Sequence, residues 1–234
     1  MSPTPLNVMI TGAAGNLGRS VAHAFREAGA RLLLVDRQLG ALQAAFGADS
    51  DTQRFVPVDL LDPAAVQAAV QSCGRIDVLC HLAGGFRMGQ PVHETGDDTW
   101  KLLFDLNVGT LRHVARAVVP VMIDGGGGRI VTVGALSARQ GLPMMGAYCA
   151  SKDAVARLSE AMAAELSGQN IRVNCVLPSV IDTPENRAAM PDVAPAGWVS
   201  PADIAQALLW LTSDAARAVQ GVTLPLSGAS GRAA

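Results

Sequence analysis

Short apolar runs alternate with segments of helical periodicity along the whole chain, and this alternation limits the possible folds more than any other feature. The runs cover 6–11, 31–36, 54–58, 76–82, 129–133, 171–177 and 222–226. A run such as Leu32-Leu33-Leu34-Val35 has no polar face to offer water, so it belongs in a parallel sheet covered on both sides. Between the runs, 20–28 carries apolar residues at helical spacing and stops at Gly29. Asp62-Pro63 pairs an N-cap residue with a proline at the first helical position and opens a helix to Cys73. The stretch 97–121 is mostly helical, and the glycine run 125–128 breaks it. A long helix is expected over 148–167, ended by Gly168, and Ser200-Pro201-Ala202-Asp203 opens another with a capping-box-like start. Parallel neighbours require right-handed crossovers, so the expected fold is a doubly wound α/β sheet with helices on both faces.

A chain of 234 residues fits one domain, here 1–234. Half of it is apolar and only 4% aromatic, a composition suited to close helix-on-sheet packing rather than an aromatic-rich sandwich. The net charge of -2 gives no electrostatic footprint for nucleic acid. No apolar run approaches the roughly 18 residues of a membrane span, and Met-Ser-Pro-Thr-Pro lacks the pattern of a secretion signal. A cytoplasmic protein with no membrane or nucleic-acid partner is therefore expected. Cys73, Cys80, Cys149 and Cys175 form no C-x-x-C pair, and the four histidines are scattered, so no metal site is expected. The stretch 183–199 is rich in proline and polar residues and longer than an ordinary connection, which fits a substrate-side lid.

Two local patterns carry chemistry. Thr11-Gly12-Ala13-Ala14-Gly15-Asn16-Leu17-Gly18 lies between the first expected strand and the first expected helix. Glycines in that place allow a tight turn and let backbone N–H groups approach a pyrophosphate at the helix N-terminus. Asp36, at the end of the second run, is the acid such a site needs for ribose hydroxyls. A carboxylate there disfavours a 2′-phosphate, so NAD is expected as cofactor; Arg37 next to it leaves NADP open. The second pattern is Tyr148 and Lys152. Tyr148 is the only tyrosine, Lys152 one of two lysines, and they stand at i and i+4 on one helix, where side chains are neighbours. Unlike arginine, lysine is a compact charge whose pKa shifts readily on burial.

Taken in order, these motifs resemble the short-chain dehydrogenase/reductase family over essentially the whole chain. The resemblance rests on the glycine turn, Asp59, Ala83-Gly84-Gly85, Asn107, Tyr148-x-x-x-Lys152, Asn174 to Pro178, and Thr183. It implies a single Rossmann-like domain that binds a nicotinamide dinucleotide. Gly12, Gly15, Asn16, Leu17 and Gly18 would face the pyrophosphate, and Asp36 and Arg37 the adenosine ribose. Asp59 and Leu60 would meet adenine, and Ala83 and Gly84 the ribose. Lys152 would hold the nicotinamide ribose, and Pro178, Val180 and Thr183 the carboxamide. Tyr148 would be the acid/base, with its pKa lowered by Lys152 and the oxidised ring, and Asn107 would order a proton-relay water. Relatives commonly form homodimers or homotetramers, and a small-molecule substrate is implied.

Two departures stand out. Asn16 occupies a place where compact members of the family carry glycine. Ala135 stands thirteen residues before Tyr148, where most members have a serine that hydrogen-bonds the substrate oxygen. Loss of such a donor costs about 2.7–4 kcal/mol of transition-state stabilisation. Alanine at that place, with Ala83-Gly84-Gly85 and the later residues Leu177, Pro178, Asp182, Thr183, Pro184, Asn186, Arg187, Met190 and Pro191, is similar to the dihydropteridine reductase group. That likeness implies a quinonoid dihydropterin-like substrate reduced without the serine. An ordinary carbonyl or alcohol oxidoreductase, with Ser137 or water as the donor, remains an alternative. A non-catalytic NAD-binding regulator is a third reading, and retention of both Tyr148 and Lys152 speaks against it.

Overall fold

A computed structural model describes residues 5–228. Seven strands, β1 (Asn7–Thr11), β2 (Arg31–Asp36), β3 (Gln53–Pro57), β4 (Val78–His81), β5 (Gly128–Val133), β6 (Ile171–Pro178) and β7 (Thr223–Leu226), form one sheet. Every pairing is parallel, and the order is β3-β2-β1-β4-β5-β6-β7. The chain works outward from β1 to β3, then returns to place β4 on the other side of β1. Loops that leave the carboxyl ends of β1 and β4 therefore diverge and open a crevice, the usual place for a ligand in such sheets.

Helices cover both faces, and the strand alternation decides which residue goes where. Val8 and Ile10 of β1 and Leu32 and Leu34 of β2 join a core with Val21 and Phe25 of α1 (Asn16–Glu27) and Leu42 of α2 (Leu39–Phe46). Met9 and Leu33, one residue out of phase, face the other way. They pack with Val66 and Val70 of α3 (Pro63–Cys73). The chain continues through α4 (Asp97–Phe104), a π-helical turn at Asp105–Gly109, and α5 (Thr110–Asp124), whose Val114, Val118 and Met122 complete that second core. Next come α6 (Gly146–Leu166), α7 (Pro184–Ala189) and α8 (Pro201–Thr212), the last packing Ile204 and Leu208 beside α1. Each fully buried Val, Leu, Ile or Phe contributes roughly 1.5–3 kcal/mol relative to exposure. With both faces dry, the all-apolar strands need no polar alternation.

The expected doubly wound sheet is the observed one, and the strand ends differ by a residue or two. Short 3-10 turns aside, three elements had no counterpart in the sequence reading: α2, the π turn between α4 and α5, and α7 inside the stretch 183–199. Among the described residues no helix is long and apolar enough to cross a membrane.

Candidate active site

The crevice is built first by the turn after β1. Gly12 has φ +66, and a Cβ there would lie 3.2 Å from the Ala83 backbone, so the turn rests directly on the loop after β4. At Gly18 a Cβ would fall 2.3 Å from the Gly12 carbonyl, which only glycine avoids. Gly15 is the N-cap of α1 and supplies no side-chain cap, so the first N–H groups of the helix are left for an anion. Leu17 packs against the core and fixes the helix start. Asn16 donates from Nδ2 to the Glu185 carboxylate of α7 at 2.5 Å and accepts from Arg19 at 2.7 Å. At the carboxyl end of β2, Asp36 accepts from the Ala14 N–H at 3.1 Å and the Arg37 N–H at 2.8 Å, while the Arg37 side chain is exposed. Asp36 therefore flanks the turn, as the ribose role requires. A cradle that excludes Cβ atoms, an uncapped helix start and a flanking carboxylate together fit a dinucleotide.

Asp59 and Leu60 lie on the connection after β3. Asp59 accepts from the Leu61 N–H at 2.9 Å, a local turn bond, and the Leu60 carbonyl meets His113 Nδ1 at 2.9 Å. At the other side of the crevice, Pro178 pairs with Leu226, and the Val180 carbonyl accepts from Val199 N–H at 2.9 Å. A parallel bridge between Ile181 and Val199 closes the base of the stretch 183–199. Thr183 caps α7 by accepting from Asn186 N–H at 3.2 Å, and Asp182 clasps Arg187 at 2.5 and 2.7 Å.

The candidate reacting groups meet where β4, β5 and α6 converge. Lys152 is buried and donates from Nζ to the Val133 carbonyl at 2.9 Å. Asn107 stands in the π turn. Its Oδ1 accepts from Gly85 N–H at 2.8 Å, and its Nδ2 donates to the Gly85 carbonyl at 3.1 Å and the Ser151 hydroxyl at 2.9 Å. Gly84 lies between them: a Cβ there would sit 2.6 Å from Asn107 Oδ1 and 3.0 Å from Lys152 Nζ. Tyr148, one helical turn before Lys152, is half-buried with the Phe86 ring edge-on at 4.8 Å and 87°. Burial, and then the neighbouring Cys149, push the Tyr148 phenol up to about 12. Burial holds Lys152 down at about 8, against a smaller opposing effect of Cys175. The sequence reading expected Lys152 and the oxidised ring together to lower the phenol. In the structure burial and Cys149 raise it, and Lys152 spends one of its donors on Val133. Ala135 is buried at the start of the short 3-10 turn Leu136–Arg139, and the Ser137 carbonyl accepts from the Cys149 thiol at 3.4 Å.

One buried group escaped the sequence reading. His81, at the end of β4, meets Thr11 Oγ1 at 3.0 Å through Nδ1 and Thr110 Oγ1 at 3.4 Å through Nε2. Thr110 gives its proton to the Leu106 carbonyl at 2.6 Å, so it accepts from His81 Nε2–H. Thr11 accepts from the N–H groups of Leu82 and Ala83 at 3.1 and 3.3 Å, which leaves its own proton for Nδ1. Burial, helped by the Lys152 charge, lowers His81 to about 3 and keeps it neutral. A histidine inside the otherwise apolar run 76–82 was the available signal. Among the described residues no three His, Cys, Asp or Glu side chains could hold a metal ion, and all four cysteines are free.

Comparison with known proteins places this geometry. Residues 12–228 match the family described as "Enoyl-(Acyl carrier protein) reductase". The chain is 34% identical over 236 residues to a D-threitol dehydrogenase from Mycolicibacterium smegmatis, covering 94% of this chain and 90% of the relative. A short-chain type dehydrogenase/reductase from Mycobacterium ulcerans superposes with a TM-score of 0.89 at 27% identity, covering 97% of this chain and 90% of that one. Carveol dehydrogenase from Mycobacterium avium, solved in complex with NAD, gives a TM-score of 0.84 at 30% identity, covering 94% of this chain and 95% of that one.

Proposed function

Because this chain belongs to the short-chain dehydrogenase/reductase family, we propose that it moves hydride between NAD(H) and a small organic substrate, with Tyr148 as the acid/base. The observation that carries the reading is the convergence at Gly84, where the absence of one Cβ brings Asn107 and Lys152 to the same backbone beside the glycine turn. When bound, the nicotinamide ring supplies or accepts the hydride. The protein's own groups do the rest. The N–H groups at the start of α1 hold the pyrophosphate, and Asp36 takes the ribose hydroxyls and disfavours NADP. Lys152, with its pKa near 8, binds the nicotinamide ribose and returns the proton to Tyr148 through a water held at Asn107. In the reducing direction Tyr148 O–H gives its proton to the substrate as hydride arrives: to the oxygen of a carbonyl, or to a heteroatom conjugated with the hydride-accepting position of a quinonoid ring. A phenol raised to about 12 is protonated at working pH. Because an acid/base works best with a pKa near that pH, the charges of Lys152 and of the oxidised ring would have to bring it down for turnover.

Ala135 offers no hydroxyl to a carbonyl oxygen, and this favours an acceptor that needs less such help, a quinonoid dihydropterin-like compound. A second reading, oxidation of a secondary alcohol or polyol, is favoured by the likeness to D-threitol dehydrogenase. In that case Ser137 or water replaces the missing donor. In both readings the stretch 183–199 acts as a lid over the cleft, and α5 and α6 supply the faces of a homodimer or homotetramer.

Tyr148→Phe tests the shared core. It is expected to abolish turnover with NADH and quinonoid dihydropterin while leaving the Kd for NADH nearly unchanged; turnover like that of the unaltered protein would reject Tyr148 as the acid/base. Ser137→Ala tests whether Ser137 is that replacement donor. A change of less than threefold fits the first reading or a water donor, and a loss of a hundredfold or more, about 2.7 kcal/mol, assigns the donor to Ser137.

A further inference from the structure

Four large apolar side chains stand exposed at the Tyr148 corner: Phe86 (47%), Met88 (59%), Val92 (60%) and Met144 (45%). They come from two loops that are docked on each other. Gly89 N–H donates to the Met144 carbonyl at 3.0 Å. Gly146 approaches Val92 so closely that a Cβ would lie 2.5 Å from Val92 Cγ2. Phe86 presents its ring edge-to-face with the Tyr148 ring at 4.8 Å. Tyr148 itself lies in the first turn of α6, four residues after Met144.

Met144 adds an independent sign. Its φ is +62, and apart from Asn170 it is the only non-glycine residue with positive φ among those described. That conformation favours glycine or asparagine, and methionine there is strained. A long apolar side chain kept exposed on a strained backbone is poorly explained by folding, because it buries little. A role in binding explains it. The loop residues 140–146 carry no charge, and in 85–92 the only charged side chain is Arg87, whose guanidinium donates to the Phe86 carbonyl at 2.9 Å. Polyol hydroxyls find few partners on such a wall, whereas thioethers and an aromatic edge suit a ring.

We infer that Phe86, Met88, Val92 and Met144 form a subsite for an apolar, ring-sized group of the substrate, adjacent to the atom that Tyr148 protonates. The inference rests on the Tyr148 reading for its location, and it adds a substrate class: carbonyl or quinonoid acceptors, or the matching alcohols, that bear an aromatic or alicyclic ring.

The test uses the full-length enzyme and two diones that share a reacting group, 1-phenylpropane-1,2-dione and butane-2,3-dione, reduced with NADH. The phenyl compound should have the higher kcat/KM by tenfold or more. Met88→Ser and Met144→Gly should each cut that preference at least fivefold through KM, with kcat for butane-2,3-dione unchanged. Met144→Gly should also melt no lower than the unaltered protein, since it relieves the positive φ. Calorimetric binding of 1-naphthol to the NAD-loaded enzyme gives a readout that needs no turnover. Naphthol binding that weakens in both variants supports the subsite even if neither dione reacts. Where the diones react, the lack of a phenyl preference, or a preference untouched by both variants, overturns it; so does the lack of naphthol binding. Tyr148→Phe distinguishes the two ideas: retained turnover would sink the Tyr148 reading, whereas retained naphthol binding in that variant keeps the subsite.

Discussion

At the scale of single residues, the site's chemistry is set by how much each group loses on leaving water. His81 shows the consequence most directly. Its folded value near 3 lies below the ordinary 6.5, so the unfolded chain binds a proton that the folded one refuses. The stability linked to neutral His81 is therefore fully present above pH 6.5 and is lost as pH falls through 6.5 towards 3. At 1.36 kcal/mol per pH unit this is a loss on the order of several kcal/mol. His81→Gln keeps a donor and an acceptor but cannot titrate. Its urea midpoint should fall less between pH 7.5 and 4.5 than that of the unaltered protein, and equal falls would remove His81 from the account. Tyr148 and Lys152 were legible because they are scarce and a helical turn apart. The direction of the Tyr148 shift was not legible, because desolvation depends on neighbours that spacing cannot reveal. His81 was hidden for the same reason, since its partners Thr11 and Thr110 lie 70 and 29 residues away.

At the scale of elements, the turn between β1 and α1 is the tightest fit in the site. Gly18→Ala would drive a methyl to 2.3 Å from the Gly12 carbonyl, a contact that backbone cannot yield without moving the turn. The expected result is a loss of NADH affinity of tenfold or more, with a fall in stability of about 1–3 kcal/mol from the overpacking; titration by NADH fluorescence and a urea melt measure the two. All seven strands could be read from the apolar runs, because a two-sided sheet leaves no other use for them. The helix α2 was not, since it has only eight residues, buries only Leu42 fully and lacks a side-chain cap. In α7 the signal was present and passed over: Thr183-Pro184 is the same cap-then-proline pattern that was read at Asp62-Pro63. The π turn has no sequence signature at all. It takes up an extra residue without disturbing apolar spacing enough to notice, yet it is what presents Asn107 to Gly85.

At the scale of the whole molecule, cofactor binding and folding are linked. A ligand that binds only the folded chain at a hundred times its Kd stabilises by about 2.7 kcal/mol. In a protein of this size each kcal/mol moves Tm by roughly 2–4 °C. NADH should therefore raise Tm by about 5–10 °C, and NADPH at the same concentration by clearly less if Asp36 sets the preference. Equal shifts would transfer that decision to Arg37. The proposed site residues lie on the carboxyl-end side of the sheet, with Asp36 and Pro178 the last residues of their strands. The loops that enter the strands, including exposed Gly168 with nothing near its missing Cβ, carry none of them. The molecule thus has a working end and an idle end. A tether, dye or fusion partner attached at Gly168 would hold the enzyme to a surface with its mouth turned outward, so the parallel sheet also supplies a ready orientation for immobilisation.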